Sequence, residues 1–258
     1  MVHIIPKSGF ARTYLIEEDE GLIAVDVGSI GAAQEVETYC TGVLKRPLGD
    51  IRFIIATHFH IDHIGGIGTL LKECSPETRA LFDLHAKGYI EGQENLAPMK
   101  NWLSGLVPTI RENYTRVGNL THIAFESIAG VPLPMFKDIG HLPYADRVAY
   151  IDMQGALLSR LGLSNLEAVP TPGHTPDSVS IYNEETQELI CGDLILGRHD
   201  GTGYLNRFCW DEDLASDCFA ILNNALCVKT IYPGHGEVIR DEENAFSKVV
   251  SFPKRGGK

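Results

Sequence analysis

Ala56-Thr57-His58-Phe59-His60-Ile61-Asp62-His63-Ile64-Gly65-Gly66 sets four metal-capable side chains within six residues. The apolar run that leads into it, Ile51-Arg52-Phe53-Ile54-Ile55-Ala56, predicts a buried strand that opens into a loop at the cluster. Side chains at i and i+2 of an extended chain share a face, so His58 and His60 can converge on one cation. Asp62 and His63 follow where the chain turns and can aim at a second cation beside the first. Gly65 and Gly66 let the backbone bend sharply without a Cβ clash. A polar loop with scattered histidines would not need this spacing.

Three more metal-capable residues stand in loop contexts further on. His174 lies in Thr171-Pro172-Gly173-His174-Thr175-Pro176, Asp193 in Cys191-Gly192-Asp193, and His235 in Tyr232-Pro233-Gly234-His235-Gly236. His-x-His-x-Asp-His after a hydrophobic strand resembles the signature of the metallo-β-lactamase superfamily of metallohydrolases, and His174, Asp193 and His235 supply that family's remaining ligands in order. The resemblance covers about 25 to 240. It implies an α/β fold, the four-layer αβ/βα sandwich, with two divalent metal ions at its edge. His58, His60 and His174 would hold the first ion, Asp62, His63 and His235 the second, and Asp193 would bridge them. A bridging hydroxide would then attack an ester, thioester or lactone bond of a small-molecule substrate. Asp62 would also act catalytically, orienting that nucleophile and carrying a proton to the leaving group. Nitrogen and carboxylate donors without thiolate suit zinc first, and also iron or manganese. A structural zinc would be closed by four protein ligands, whereas seven ligands for two ions leave positions open.

At 258 residues the chain can bury a full core as one domain, 1–258. No apolar run reaches the length of a membrane span, and the N-terminus shows no signal-peptide pattern, so a cytoplasmic protein is expected. The six cysteines form no Cys-x-x-Cys pair and read as reduced core residues. A net charge of −12 argues against nucleic acid as a partner. That weighs against an RNA-processing nuclease of the same superfamily. A persulfide dioxygenase-like oxidoreductase, using His58, His174 and Asp193 on one iron, is the other alternative the resemblance carries.

Strands are predicted over 11–17 and 21–25, ending in Asp26-Val27-Gly28, which resembles the family's first turn. There Asp26 would cap the turn and steady the metal loop from behind. Helices are predicted over 32–44 and 67–74. Residues 84–163 read as a helical insertion or cap, with helix-like apolar spacing over 84–95 and 99–116. Its Tyr89, Met99, Trp102, Leu103, Leu106 and Tyr114 predict either a wall of the substrate pocket or a homodimer face. The second half predicts strands over 166–169, 178–182, 188–191 and 230–232, and helices over 211–226 and 241–250. Gly197-Arg198-His199-Asp200 resembles a Gly-Arg-x-Asp element of glyoxalase-II-like members, which makes Arg198 and Asp200 supporting candidates. No basic cluster near the C-terminus matches the glutathione-binding groups of those members. Of the remaining histidines, His85 is the one placed to reach the pocket.

Overall fold

The computed structural model describes residues 1–102, 107, 110, 114–132, 141–151, 158, 161–163 and 165–252. Two main sheets carry the fold. The first has six strands in spatial order: β1 (Val2–Ile4), β2 (Tyr14–Glu18), β3 (Gly21–Val25), β4 (Ile51–Ile55), β5 (Arg79–Asp83) and β6 (Val148–Ile151). β1 to β3 form an antiparallel meander, and β3 to β6 run parallel. The second sheet contains β7 (Leu166–Pro170), β8 (Val179–Asn183), β9 (Glu188–Gly192), β12 (Thr230–Pro233) and β13 (Ile239–Arg240), ordered β13-β12-β9-β8-β7. A small third sheet joins β10 (Ile195–Gly197), β11 (Gly203–Leu205) and β14 (Val249–Val250).

Strand parity sorts the apolar residues into three cores. Successive side chains of a strand point to opposite faces, so a sheet covered on both sides reads as a continuous apolar run. In β3, Leu22 and Ala24 face an outer core shared with α1 (Ile30–Tyr39) and α3 (Ile67–Glu73), while Ile23 and Val25 face the other sheet. A bulge at Arg52 keeps β4 in step. Ile51 and Ile54 face the helices, and Phe53 and Ile55 face the second sheet. Val179, Ile181, Ile190 and Tyr232 answer from that sheet, forming the central core. Leu189, Cys191 and Ile231 point outward onto the helix Glu212–Ala225. The order helix, sheet, sheet, helix is the expected four-layer sandwich.

Helix starts follow their caps. Ser29 accepts the Ala32 amide at 3.0 Å, and Asp211 accepts those of Asp213 and Leu214 at 3.0 Å. Between β4 and α3 lies α2 (Ile61–Ile64), a single turn that follows the extended His60. Further along the chain, α4 (Lys87–Ile90) and α5 (Glu212–Ala225) are fully described.

Several expected elements take another form. The helix predicted over 32–44 begins at Ile30 and leaves α geometry at Tyr39; Cys40–Leu44 is a π turn, ended by left-handed Lys45 at φ 57°. No helix spans 241–250. Asp241 and Asn244 spend their side chains on nearby amides, which competes with helix formation. What results is a 3-10 turn, Ala245–Lys248, and then β14 alongside β11. The helix predicted over 84–95 shrinks to a 3-10 turn, Leu84–Ala86, and α4, because Gln93 and Glu94 both fold back onto the Gly88 carbonyl. In 99–116, Trp102, Val107 and Ile110 are helical, and Tyr114–Arg116 ends the stretch as a 3-10 turn. Leu103 and Leu106 lie outside the described residues. Of the residues expected on a pocket wall or dimer face, Tyr114 is 63% exposed, but Tyr89 and Met99 are buried at 8% each, because Tyr89 packs into the outer core and Met99 is covered. β1, β5 and β6 were not legible as strands, and β6 completes the first sheet from within 84–163.

No helix among the described residues is long and apolar enough to cross a membrane. All six cysteines are free, and five are buried.

Ile190 is 2% exposed at the centre of the inter-sheet core. Ile190→Ala is expected to cost about 2–5 kcal/mol by urea unfolding. Val250→Ala, at a position 57% exposed, is expected to stay within about 0.5 kcal/mol. Equal losses at the two positions would contradict this placement of the core.

Candidate metal centre

The ligand-type residues all follow the carboxyl ends of strands at one edge of the sandwich. β4 runs into His58 and His60, α2 carries Asp62 and His63, the turn after β7 carries His174, Asp193 follows β9, and His235 follows β12. They form overlapping groups: His58, His60 and His174; His58, His63 and Asp193; Asp62, His63 and His235. Within each group the ligand atoms lie within 4.8 Å of one another.

In the first group His60 Nδ1 lies 3.1 Å from both His58 Nε2 and His174 Nε2. Nitrogens sharing a tetrahedral cation at ~2.0–2.1 Å stand about 3.3 Å apart, so this spacing fits a metal. In the third, His235 Nε2 is 3.3 Å from Asp62 Oδ2, and His63 Nε2 is 4.0 Å from the same oxygen. Asp193 stands between the groups, 3.5 Å from His174 Nε2, 3.3 Å from His235 Nε2 and 3.4 Å from His63 Nε2. Buried polar atoms ordinarily find partners. His63 Nε2 and Asp193 Oδ1 are buried, face each other at 3.4 Å and make no well-formed hydrogen bond, as two ligand atoms of a shared cation would. These residues make two His/Asp metal sites typical of dinuclear centres.

The far side of each imidazole sets its tautomer. His174 Nδ1 donates to the Phe208 carbonyl at 2.6 Å, and His235 Nδ1 to the Phe10 carbonyl at 2.8 Å, which leaves each Nε2 facing the cluster. His63 Nδ1 lies 2.9 Å from Asp26 Oδ2. His58 Nδ1 lies 3.1 Å from Thr57 Oγ1, whose own proton goes to Asp26 at 2.8 Å. Asp26 also accepts the Thr57 amide at 2.8 Å. It achieves this from a left-handed backbone, φ 57°, which aspartate tolerates better than most residues. Gly234 is required by space: a Cβ there would sit 2.3 Å from Asp193 Oδ1 and 2.8 Å from His63 Cε1.

The two groups differ electrostatically. Burial, reinforced by the imidazoles of His63, His60 and His174, holds His58 well below the ordinary histidine range. Burial and then His174 bring His60 down to about 3, and burial lowers His174 as well. These three rings are neutral, with lone pairs free for a metal. At His63 burial opposes protonation, but Asp26, Asp193 and Asp62 overcome it and raise the ring well above the usual range. Asp193 and Asp62 likewise overcome burial at His235 and raise it to about 9. Burial works against ionised Asp62 and Asp193 too, yet the neighbouring His63 and His235 hold both below the usual carboxylate range. In the absence of metal, protons on His63 and His235 therefore balance the carboxylates.

The sequence pattern described as the metallo-beta-lactamase superfamily matches residues 8–235. The chain belongs to the metallo-beta-lactamase superfamily. The beta-lactamase-like protein 2 homolog of Caenorhabditis elegans is 25% identical over 230 residues, which are 88% of this chain and 56% of that protein. The chain thus spans little more than half of that relative's length. The probable metallo-hydrolase YybB of Bacillus subtilis (strain 168) is 24% identical over 242 residues, 93% of this chain and 86% of that one. Among solved structures, TTHA1623 in a di-iron-bound form shares this superfamily's fold at a TM-score of 0.55 and 19% identity, covering 89% of each chain.

All seven ligand residues expected from the sequence meet in this superfamily member, and Asp26 braces them. Arg198 and Asp200 do not join them. Arg198 lies over the Tyr204 ring at 4.7 Å, and Asp200 caps Thr202 in the turn after β10. His85 pairs with Asp83 at 2.6 Å, its side chain 62% exposed, and stands outside the metal-ligand groups. Thr57, Phe10 and Phe208 were not singled out from the sequence. Thr57 adjoins the motif, but Phe10 and Phe208 act through carbonyl oxygens, which no residue type announces.

Metal uptake at the Asp62, His63 and His235 group is expected to release protons. Below about 9, His235 carries a proton that competes for Nε2, so affinity for the second metal should fall as pH drops from 9 towards 6. Calorimetry of zinc binding in buffers of different ionisation enthalpy measures both effects. A pH-independent second affinity without proton release would contradict this charge balance.

Proposed function

We propose that this superfamily member is a dinuclear metal-dependent hydrolase that cleaves an ester, thioester or lactone bond of a small molecule. The observation that carries the reading is Asp193 lying between two triads, within 3.5 Å of His174 on one side and 3.3 Å of His235 on the other. Divalent ions held there would polarise a carbonyl oxygen and acidify a water. The donor set suits zinc first. Manganese is compatible, and the di-iron form of a structural relative supports iron as an alternative. A full second triad, Asp62, His63 and His235, favours two ions over the single-iron oxidoreductase reading.

The side chain of Asp62 is 27% exposed, against 0–6% for His63, His174, Asp193 and His235. Substrate and leaving group therefore approach past it. Its carboxylate, held by His235 at 3.3 Å, is placed to take up a proton at Oδ2 and pass it to a departing oxygen or sulfur. Asp62→Ala is expected to lower hydrolysis of model esters about 10²–10⁴-fold while circular dichroism stays unchanged. Near-wild-type turnover in a variant binding one metal would sink the two-metal reading.

The acyl side of the substrate is proposed to be apolar. Phe208 lies at 28° to the His60 ring with centroids 6.4 Å apart, and Trp102 packs edge-on against Phe208 at 4.7 Å. Both rings are half-buried. Trp102 comes from the insertion, which is tied on by the Lys100–Cys209 bridge and by Asn101 Nδ2 donating to the Arg207 carbonyl at 3.0 Å. Trp102→Ala should raise KM for benzoyl or hexanoyl esters about three- to tenfold and leave acetyl esters nearly unaffected. An equal change for acetyl and hexanoyl substrates would remove the aromatic wall from the reading.

A further inference from the structure

Asp177 contributes no atom to the metal-ligand groups, yet it is 2% exposed and three positions beyond His174. Its Oδ2 accepts the Phe59 amide at 2.8 Å, and its Oδ1 has no hydrogen-bond partner. Phe59 lies between His58 and His60. Two positions from each end of that bond, the Val179 amide donates to the Thr57 carbonyl at 2.9 Å. The loop of His58 and His60 is thus stitched at two points to the segment that follows His174. The first stitch is a side chain where a sheet would use a backbone carbonyl.

The direction of the Phe59 ring shows what the stitch controls. The ring is 1% exposed and packs against Phe82 at 6.0 Å and Tyr89 at 6.3 Å, in the outer core. His58 and His60 turn the other way, with His60 Nδ1 3.1 Å from both His58 Nε2 and His174 Nε2. A small rotation of the Phe59 peptide would swing both imidazoles together. Keeping a carboxyl group here is costly, since burial pushes it up to about 6. Hydrogen bonds from the Thr175 hydroxyl and the Phe59 amide offset only part of that cost.

We propose that Asp177 is a positioning residue for the first metal site, holding His58 and His60 at the spacing that lets them share a cation with His174. It acts through the Phe59 amide and touches neither metal nor substrate. The inference rests on metal binding alone and stands whether or not the bond cleaved is an ester, thioester or lactone.

The test reads metal binding and not turnover. In a His235→Ala background the second triad is broken, so zinc uptake reports the first site; competition with a chromophoric chelator gives its affinity. Asp177→Ala in that background is expected to weaken zinc binding about 10–100-fold, the range for losing a group that orients a metal ligand. Asp177→Asn keeps an oxygen that can accept from Phe59 and can place its amide where Oδ1 stands, so affinity should stay within about threefold of the parent. Asp177→Ser, too short to reach Phe59, should behave like Asp177→Ala and serves if the alanine variant does not fold. Unchanged zinc affinity in Asp177→Ala would overturn the proposal, and so would an equal loss in Asp177→Asn. If neither the alanine nor the serine variant folds without metal while the asparagine variant does, Asp177 is a scaffold residue and the proposal is also overturned.

Discussion

Asp26 is the node on which the metal-binding edge depends. From the end of one strand it accepts the Thr57 amide, the Thr57 hydroxyl and the His63 imidazole. Thr57 in turn steadies His58. One buried carboxylate therefore fixes the start of the ligand loop, the ring plane of one ligand and the tautomer of another. Charge-assisted bonds of this kind are short and directional, and in a dry interior they are worth more than at a surface. The parallel packing of β3 against β4 is what brings Asp26 beside Thr57, so the fold and the site meet at this residue.

The same division of labour recurs around the cluster. Backbone carbonyls at Phe10 and Phe208 hold His235 and His174 from loops far away in sequence. Arg12 and Arg116 both donate to the Gly236 carbonyl, next to His235, and share the Glu237 carboxylate. Arg116 lies in the stretch between β5 and β6. That stretch is thereby fastened to the turn that carries His235, and through Trp102 it lies beside Phe208, whose ring neighbours those of His60 and His174.

Much of this was legible in the sequence. Ligands that are themselves histidine or aspartate announce their chemistry by residue type, and seven of them in order resembled one known architecture. Strands buried on both faces, such as β3 and β4, read as apolar runs. What escaped notice was either short or indirect. Val2–Ile4 and Val148–Ile151 are strands because a neighbour offers an edge, and nothing local demands it. The stretch 241–250 has helical spacing, but Asp241 and Asn244 spend their side chains on local amides first. Nothing in the sequence marks Asp177, since its partner is an amide 118 positions away.

The ligands are divided between the sheets. His58, His60, Asp62 and His63 follow a strand of the first, and His174, Asp193 and His235 follow strands of the second. Neither half carries a complete site. Metal bound across the divide acts as a clasp, adding RT ln(1 + [L]/Kd) to the free energy that keeps the sheets together. The cost of separating the halves thus depends on the free metal concentration around the protein. Amide protons deep in the inter-sheet core, with no metal ligand among them, should then exchange more slowly as metal is supplied. In that sense the apolar interior serves as a distant gauge of occupancy at the polar edge.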